Sequence, residues 1–362
     1  MIHANREQLL AALNTVQRIT GKSLLPILDN VLITASPDSL QLTCTDIESQ
    51  VTTSCQAEFT GDADPFTVSV KKLHGICKSL AEGSQVNLAT FNEQVTISAG
   101  RSRFNLVTLP ATDFPNLDRA DFSGSFLIDA SALKALMANA ETSMAKNDAR
   151  YYLNGMLLQV ENSKLNAVAT NGHRLACWDF ELVEAPDCTM LIPCKFAQNL
   201  LRELPNSTDS VRVEYGHGFC RFKCADTILT SKLIDGKYPD YQRVIPRQYK
   251  YSGLINNAEL RGLLYRAAVL KNQWSGVKLT FTPGTLAVEA VNQEKEQFND
   301  CINAEFSGDE SVIGLSADYL AGALNALQSE TVAMELGDGT DPMLLRDPDN
   351  ANKFHVLMPM RL

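Results

Sequence analysis

The chain lacks the features that would place it in a membrane or in an oxidising compartment. None of its apolar runs approaches the roughly 18 residues that a membrane span needs. Its first residues, Met-Ile-His-Ala-Asn-Arg, lack the apolar stretch of a signal peptide. Its nine cysteines are odd in number and scattered, which indicates reduced thiols rather than a disulfide framework. We therefore expect a cytoplasmic protein.

Sequence motifs of catalysis and of metal binding are also missing. The chain has no Gly-x-x-x-x-Gly-Lys-Ser/Thr loop, no Gly-x-Ser-x-Gly elbow and no His-Glu-x-x-His. The spacing of Cys220 and Cys224 could suggest a metal site, but strand alternation would place both thiols on one face. No second Cys or His pair follows nearby. We expect no metal and no cofactor.

What the chain does contain is a pattern that occurs three times. An apolar stripe with helical spacing begins at Leu9, at Leu133 and at Leu260. A second helix closes each copy, ending at Leu80, Leu204 and Leu327. Internal repetition on this scale indicates three copies of one module. The composition, with 45% hydrophobic and 20% charged residues, is that of an ordinary globular protein.

Each copy has the same predicted order: a helix, a hairpin, a second helix and a closing hairpin. The predicted helices span residues 4–20, 69–82, 131–147, 194–204, 257–271 and 316–328. The first hairpins span residues 30–45, 155–170 and 276–291, and the closing hairpins span 86–109, 211–233 and 332–360. Alternation such as Val95, Ile97 and Ala99 is typical of half-buried antiparallel strands. The predicted fold class is α+β, with helices on one face of antiparallel sheet.

Proline-containing links separate the copies. They cover residues 110–117 and 238–246, and their motifs repeat as Asp113-Phe-Pro-Asn and Lys237-Tyr-Pro-Asp. A boundary in such a link leaves each module with its own helices and strands. We therefore predict three domains, at residues 1–120, 121–249 and 250–362.

Charge is distributed unevenly between the helices and the rest of the chain. The net charge of −10 and the pI near 5.1 argue, on their face, against a nucleic-acid partner. Yet the predicted helices contain 12 of the 32 Lys and Arg residues and only 6 of the 42 Asp and Glu residues. The last predicted helix is the exception, with Asp318 and no cation. This distribution indicates a basic face on an acidic protein, or simply the good helix propensity of Lys and Arg.

One histidine has a distinctive local setting. His173 lies in Asn171-Gly-His-Arg-Leu-Ala176. A catalytic role would require a Ser or Cys nucleophile and a carboxylate, such as Asp46 or Asp179, brought to it by the fold. Alternatively, His173 and Arg174 lie at a strand end and form local hydrogen bonds. An α+β enzyme that uses His173 as acid or base is therefore the alternative function.

Four longer motifs occur in order along the chain. They are Arg150-Tyr-Tyr-Leu-Asn-Gly155, Asn171-Gly-His-Arg-Leu-Ala176, Ser231-Lys-Leu-Ile-Asp-Gly236 with Tyr238-Pro-Asp-Tyr241, and the C-terminal Met358-Pro-Met-Arg-Leu362. Together with Leu24-Leu-Pro-Ile-Leu28 they cover essentially the full length. The chain thereby resembles the bacterial sliding clamp family, the beta subunits of DNA polymerase III holoenzyme.

The resemblance implies a ring of two subunits, arranged head to tail, with twelve helices around a hole. It implies no catalysis by the chain itself, but an accessory role in a DNA-directed DNA polymerase, a nucleotidyltransferase holoenzyme. The ring would encircle double-stranded DNA and contact the primed single-stranded template. It would bind the polymerase III catalytic subunit, the clamp loader and other proteins with a clamp-binding motif. Basic helices would then face DNA phosphates and attract them without reading sequence.

The resemblance also implies which residues close the ring. Phe104 and Leu106 would meet Val269 and Leu270 across the seam. Arg101 and Arg103 would face an acidic strip, formed by Glu294, Glu296 and Asp300 and interrupted by Lys295 and Gln297. Ordinary core burial is the other interpretation of the two apolar residues of the first copy.

A cleft between the second and third copies would capture short linear peptides. The residues that match it are Leu153, Thr170, Gly172, His173, Arg174, Leu175, Pro239, Arg243, Val244, Val356, Met358, Pro359, Met360 and Arg361. Leu, Val and Pro side chains would form an apolar slot, and Met would adapt to varied partners. Core packing is the alternative role of the methionines.

Five residues match positions that face DNA in the family: Lys22, Lys71, Asn147, Tyr151 and Tyr152. A lysine keeps the positive charge of an arginine but loses its bidentate fork. The two tyrosines could stack on bases or ribose of the single-stranded template, or pack on an adjacent helix.

Overall fold

The fold repeats one set of elements three times. The structure is a computed structural model, and it describes all residues except 22, 37, 62–63, 118–120, 271–275, 307 and 362. Within the described residues there are six α-helices and 24 β-strands. Each set runs strand, helix, four strands, helix, three strands. We call the three sets modules one, two and three, and they confirm the predicted triplication and the α+β class.

The bounds of the elements are as follows. Module one contains β1 Ile2–Asn5, α1 Arg6–Val16, β2 Asn30–Ser36, β3 Ser39–Thr45, β4 Ser49–Phe59, β5 Phe66–Ser69, α2 Val70–Ser79, β6 Gln85–Phe91, β7 Gln94–Ala99 and β8 Ser102–Pro110. Module two contains β9 Gly124–Asp129, α3 Ala130–Glu141, β10 Gly155–Glu161, β11 Lys164–Thr170, β12 Arg174–Glu181, β13 Cys188–Pro193, α4 Cys194–Glu203, β14 Ser210–Gly216, β15 Phe219–Cys224 and β16 Thr227–Lys232. Module three contains β17 Tyr251–Asn256, α5 Asn257–Ala267, β18 Gly276–Thr282, β19 Thr285–Val291, β20 Gln297–Phe306, β21 Ser311–Ser316, α6 Ala317–Leu327, β22 Thr331–Leu336, β23 Met343–Asp347 and β24 Asn350–Leu357.

Several details of the predicted modules were wrong. Four strands, rather than the two strands of a hairpin, lie between the two helices of each module. Each module opens with a strand, so the helix predicted from residue 4 begins only at Arg6, after the side chain of Asn5 caps the amides of Glu7 and Gln8. Each closing segment is a meander of three strands rather than a hairpin. In module one the extra reversal comes from a turn at Asn92 and Glu93, both with positive φ.

The helices are shorter than predicted. The helix predicted over 131–147 ends at Glu141 because the next residues form turns: the Thr142 hydroxyl donates to the Asn139 carbonyl, and the Ser143 amide donates to the Ala140 carbonyl. The helix predicted to reach residue 271 ends at Ala267 and continues as a short 3-10 turn. None of the described helices is long and apolar enough to cross a membrane.

The first compact unit comprises Met1–Ser131 and Gln198–Leu233. It holds a 12-stranded sheet with the order β1-β6-β7-β8-β5-β2-β3-β4-β16-β15-β14-β9. It contains a junction between modules one and two, where β4 pairs antiparallel with β16 and Ser49 lies opposite Ser231. The predicted stripe of α1 packs inward, since Leu9 and Leu13 are fully buried.

The second compact unit comprises Ala132–Ala197 and Ile234–Leu362. Its 12-stranded sheet has the order β13-β10-β11-β12-β24-β23-β22-β17-β20-β19-β18-β21. The junction between modules two and three lies where β12 pairs with β24, and Arg174 is opposite Leu357. Leu260 and Leu264 of α5 and Leu320 of α6 belong to one buried cluster under this sheet.

Candidate functional site

A cleft of about 180 Å³ lies over the junction of β12 and β24 in the second unit. Its walls come from the start of β12, the end of β24, the loop before β10 and the link that follows module two. We call it the main cleft. Its lining residues are Arg150, Tyr152, Leu153, Thr170, Gly172, Arg174, Leu175, Pro239, Asp240, Tyr241, Val244, Val356 and Met358.

The floor of the main cleft is apolar and well packed. Leu153, Leu175 and Val356 are each only 2% exposed. The last two belong to a buried cluster against which Tyr238 and Tyr241 pack. Neighbouring side chains hold this floor in place. An apolar ligand side chain that packs on it would gain about 25 cal/mol of binding free energy for each Å² of apolar surface removed from water.

A tight turn before β12 forms one wall. The Asn171 side-chain oxygen accepts hydrogen bonds from the amides of His173 and Arg174, both at 3.0 Å. Gly172 has a φ of +86°, where other residues are strained. A Cβ atom at this glycine would also lie 3.0 Å from Nη2 of Arg150. The positive φ therefore favours glycine, and any larger residue would also push the Arg150 guanidinium aside.

A neighbouring carboxylate fixes the orientation of Arg150. Its Nε and Nη2 donate to the two carboxylate oxygens of Asp148 at 3.0 and 2.9 Å. Nη2 also donates to the Asn171 carbonyl at 3.3 Å. The hydrogen bond from the guanidinium holds the pKa of Asp148 at about 2. The cleft lining thus contains a guanidinium whose direction is set before any ligand arrives.

Helix α6 supports the other guanidinium of the cleft. The guanidinium carbon of Arg174 lies 4.4 Å from the ring centroid of Tyr319. Burial lowers the pKa of Arg174, because the charged form loses solvent. A Cβ at Gly322 would lie 3.1 Å from Nη1, so the small residue on α6 makes room for this stack.

The C-terminal segment borders the cleft with a fixed backbone. The Met358 amide donates to the His173 carbonyl at 2.9 Å, and the Met360 amide donates to the Gly314 carbonyl at 2.9 Å. The side chain of Met358 is nevertheless 42% exposed. A flexible thioether on an anchored backbone is suited to contact ligands of varied shape.

Nine of the fourteen residues predicted for the peptide cleft line this cavity. They are Leu153, Thr170, Gly172, Arg174, Leu175, Pro239, Val244, Val356 and Met358. The other five lie beside it: His173 is exposed on the turn, Arg243 is exposed and bonded to Asp240 at 2.8 Å, and Pro359, Met360 and Arg361 follow in the tail.

The structure adds four lining residues that were not predicted for the peptide cleft: Arg150, Tyr152, Asp240 and Tyr241, of which Tyr152 was predicted to face DNA instead. All four lie in motifs that are visible in the sequence, in Arg150-Tyr-Tyr-Leu-Asn-Gly155 and Tyr238-Pro-Asp-Tyr241. A more even weighting of those motifs would have found them.

The surroundings of His173 do not form an acid–base site. Burial raises the pKa of the nearby Cys177 thiol to about 12, so it stays protonated and is a poor nucleophile. The Asp179 carboxylate instead faces Lys164, at 3.6 Å. No three His, Cys, Asp or Glu side chains in the described part of the chain are grouped to hold a metal ion. This arrangement favours binding over chemistry.

The residues predicted to face DNA occupy different environments. Lys22 lies outside the described residues, and Lys71 is exposed on α2. Asn147 is exposed with a φ of +58°. Tyr151, 58% exposed, meets Tyr152 edge-on with ring centroids 5.8 Å apart. Since Tyr152 also lines the main cleft, this tyrosine is placed to contact a peptide as well.

The residues predicted for the ring seam lie on β8 and β20, in the turns before these strands, and in the short 3-10 turn that follows α5. Phe104 and Leu106 are half-buried on β8, and Arg101 and Arg103 are exposed at its start. In module three, Val269 is 82% exposed beside the half-buried Leu270, and Glu294 and Glu296 are exposed before β20. Asp300 of β20 already bonds Arg266 of its own chain at 2.8 Å.

Comparison with known proteins agrees with this architecture. Three domain families, described as the N-terminal, central and C-terminal domains of the DNA polymerase III beta subunit, match residues 1–118, 127–240 and 242–361. The beta sliding clamp of Proteus mirabilis is 36% identical over 361 residues, which cover 99% of this chain and 98% of that protein. The clamp of Escherichia coli K12 is 36% identical over 360 residues, with the same coverage.

A solved structure extends the agreement to three dimensions. The crystal structure of the DNA polymerase III subunit beta from Pseudomonas aeruginosa is 35% identical and superposes with a TM-score of 0.96, covering 100% of both chains. A Pseudomonas aeruginosa clamp bound to griselimycin superposes equally well, at 34% identity and full coverage of both chains. The chain therefore belongs to the DNA polymerase III beta subunit family, the bacterial beta sliding clamps.

Proposed function

We propose that two copies of this chain close into a ring around double-stranded DNA and act as a processivity clamp in the cytoplasm. The ring carries out no chemistry itself. It tethers the polymerase III catalytic subunit, and its main cleft binds peptide segments of that subunit, of the clamp loader and of other partners. The three modules act as domains with bounds at 1–120, 121–249 and 250–362. The observation that carries the proposal is how the modules pair at their edges.

The modules pair by one rule. At each junction the third strand after the opening strand of one module pairs with the last strand of the next module. At the first junction β4 pairs with β16, and at the second β12 pairs with β24. The equivalent strands that remain are β20 of module three and β8 of module one. In the described part of the chain, residues 297–303 of β20 and 102–107 of β8 have a strand neighbour on one side only. A second copy would supply the missing neighbour to each.

The two junctions also share one register. Gln50 lies opposite Thr230, and Leu175 lies opposite Val356. Gln50 and Leu175 hold equivalent positions, because each lies opposite the last residue of the strand before its own. In module three that position belongs to Gln297, which lies opposite the last residue of β19. Gln297 should therefore face the residue of module one that is equivalent to Thr230 and Val356.

That residue is Asn105. In each module, one residue near the end of the chain segment bonds to the strand that precedes the second helix, at the position two residues before the end of that strand. Thr230 and Val356 each lie four residues before that bonding residue. The meeting pairs are Ile234 with Leu191, Met360 with Gly314 and, in module one, Leu109 with Thr67. Counting back from Leu109 gives Asn105.

The register predicts a pair of phenylalanines at the seam. With Asn105 opposite Gln297, Phe104 faces Phe298. The equivalent pairs at the two junctions are Val51 with Leu229 and Ala176 with His355, all at most 2% exposed. Both phenylalanines are only half-buried in the single chain. Pairing the copies would remove their remaining apolar surface from water.

Basic side chains on the helices fit a polyanion. Lys71, Lys72 and Lys78 are exposed on α2, and Arg261 and Arg266 are exposed on α5. Such cations attract phosphates regardless of sequence, and the attraction weakens as salt rises. A closed ring stays on DNA by topology, so these contacts need only be weak.

Retention on circular DNA tests the ring. We expect the protein, loaded by a clamp loader and ATP onto nicked circular DNA, to remain bound through gel filtration in high salt, and to leave when a restriction enzyme cuts the circle. A protein that stayed on the linear product would not be a ring, and one that left the intact circle in high salt would be held by charge alone.

A disulfide pair tests the register. In a Cys301→Ser background, which removes the exposed thiol, Asn105→Cys with Gln297→Cys should oxidise to a covalent dimer. The matched control, Asn105→Cys with Asn299→Cys, moves one cysteine two residues along the same face and should cross-link poorly. Equal yields would contradict the register.

A charged side chain introduced into the floor tests whether the main cleft binds peptides. Leu175→Asp should abolish binding of a polymerase-derived peptide, because the carboxylate would be buried among apolar side chains without a partner. Leu254→Asp, at an exposed leucine of β17 outside the cleft, is the control and should bind normally. If the Leu175 variant bound the peptide as tightly as the wild type, partners would dock elsewhere.

A further inference from the structure

A second cavity, of about 350 Å³, lies next to the main cleft in the same unit. We call it the side cavity. Tyr241, in the link after module two, borders both spaces. The lining residues of the side cavity are Asn166, Cys177, Asp179, Tyr241, Gln242, Ile245, Arg247, Asn352 and Phe354.

The same two strands line both spaces. Leu175 of β12 lines the main cleft, and Cys177 and Asp179, two and four residues further, line the side cavity. On β24, Val356 lines the main cleft and Phe354 the side cavity. Alternate residues of a strand share a face and rise about 7 Å per pair. An extended peptide held in the main cleft would therefore reach the side cavity after about three or four residues.

The surroundings of the side cavity are acidic. Lys164, on β11, lies 3.6 Å from Asp179 and 3.4 Å from Glu181. Glu161 lies opposite Lys164 in the β10–β11 hairpin, and its carboxylate accepts a hydrogen bond from Gln159 at 2.6 Å, so a third carboxylate lies at this end of the sheet. Arg247 offsets only part of this excess. Burial raises the pKa of Tyr241 to about 12, and negative charge from Glu161 and Asp179 acts in the same direction.

The lining chemistry fits a long cationic side chain. Phe354 and Tyr241 offer aromatic surface to an aliphatic stem, and aromatic faces attract cations. Asp179 and the amide oxygens of Asn166 and Asn352 can accept hydrogen bonds from the charged head. An acidic side chain would instead meet the Asp179 carboxylate, with Arg247 as the cation of the lining.

We propose that the side cavity binds a lysine or arginine side chain of the same partner peptide whose apolar side chain fills the main cleft, three or four residues away. This inference depends on the proposed peptide-binding function of the main cleft. It makes the clamp selective among partners: those with a basic residue at this distance bind more tightly than those without one.

Peptide scanning with the full-length protein tests the proposal. The probes are fluorescent ten-residue peptides with a Leu-Phe anchor and one lysine, glutamine or glutamate placed two to five residues before or after it. Lysine three or four residues from the anchor, on one side, should bind about fivefold more tightly than glutamine. Asp179→Asn should abolish the lysine advantage, and Glu330→Gln, at an exposed carboxylate that lines neither space, should preserve it.

A second variant, which should increase the preference for lysine rather than abolish it, excludes misfolding as the explanation. Arg247→Gln removes the cation of the lining, so the lysine advantage should grow about twofold to threefold. If lysine, glutamine and glutamate bound equally at every position while the anchor still bound, the side cavity would have no such role. If glutamate bound best, the charge assignment would be reversed. If no anchor peptide bound at all, the proposed function itself would fail.

Discussion

The buried histidine of the second junction makes a testable prediction about acid stability. His355 on β24 is 1% exposed. The Asn139 side-chain nitrogen donates to the Cys177 carbonyl at 3.4 Å, which leaves the Asn139 oxygen to accept from Nε2 of His355 at 2.9 Å. Burial lowers the pKa of His355 from 6.5 to about 3, and the charges of Arg174 and Lys353 act in the same direction. The histidine therefore stays neutral in the folded protein.

The cost of this burial follows from proton linkage. Below pH 6.5 the unfolded chain binds a proton at this position, whereas the folded protein does so only near pH 3. Stability is therefore fully present above pH 6.5 and is lost as the pH falls. Between pH 7 and pH 5 the loss amounts to about 2 kcal/mol for this one group. With a urea m-value of about 2 kcal/mol/M, the midpoint of unfolding should fall by about 1 M.

The matched variant is His355→Gln, whose amide can still donate to Asn139 but cannot titrate. Urea unfolding at pH 5, 6 and 7 should show a wild-type midpoint that falls more steeply than that of the variant. The tryptophan fluorescence of Trp178, on the neighbouring strand β12, would follow the junction, and the background change Trp274→Phe would remove the second signal. Parallel curves for the two proteins would refute the linkage argument.

Three further predictions follow from packing at single positions. Gly155→Ala would place a Cβ 2.5 Å from the Ile192 carbonyl oxygen and should lower the free energy of unfolding by about 3 kcal/mol. Gly75→Ala, in α2 with open space around it, should raise the free energy of unfolding by about 1 kcal/mol. Urea titration measures both. Phe104→Ala should weaken the dimer by about 100-fold, roughly 3 kcal/mol over two seams, in sedimentation experiments. Deleting residues 358–362 should reduce peptide affinity at least tenfold while leaving the dimer intact, because the deletion removes the hydrogen bond from the Met358 amide to the His173 carbonyl. An unchanged affinity would show that peptides do not bind in the main cleft.

Much of the fold was predictable because the sequence repeats its local signals. Apolar stripes such as Leu9 and Leu13 determine a helix face wherever they occur, and three copies gave the same answer. The opening strand of module one was missed because the four residues Ile2–Asn5 are too short for alternation to be recognised. Its strand state comes from pairing on both sides, with β4 and β6, which are distant in sequence. Tertiary context therefore decided this element.

The site was only partly predictable for a related reason. Motif resemblance selected residues of β12 and of the C-terminal segment, and many of them line one cavity. It could not select the side cavity, because that space exists only where Asn166, Asp179 and Phe354 are brought together with the link around Tyr241. The pairing of β12 with β24, a strand distant in sequence, determines this grouping.

The register also explains why the main cleft lies at the second junction. At the second junction the cleft-side pair is Leu175 with Val356, whose apolar side chains leave a floor open to a ligand. At the first junction the equivalent pair is Gln50 with Thr230, both buried, and the Gln50 oxygen already accepts a hydrogen bond from the Leu117 amide at 2.8 Å. The module's own link thus occupies that position. At the proposed seam the pair is Asn105 with Gln297, both polar, so joining two copies would create no further apolar floor. Each ring should therefore bind two anchor peptides, one for each chain, and a stoichiometry above one per chain in calorimetry would contradict this reasoning.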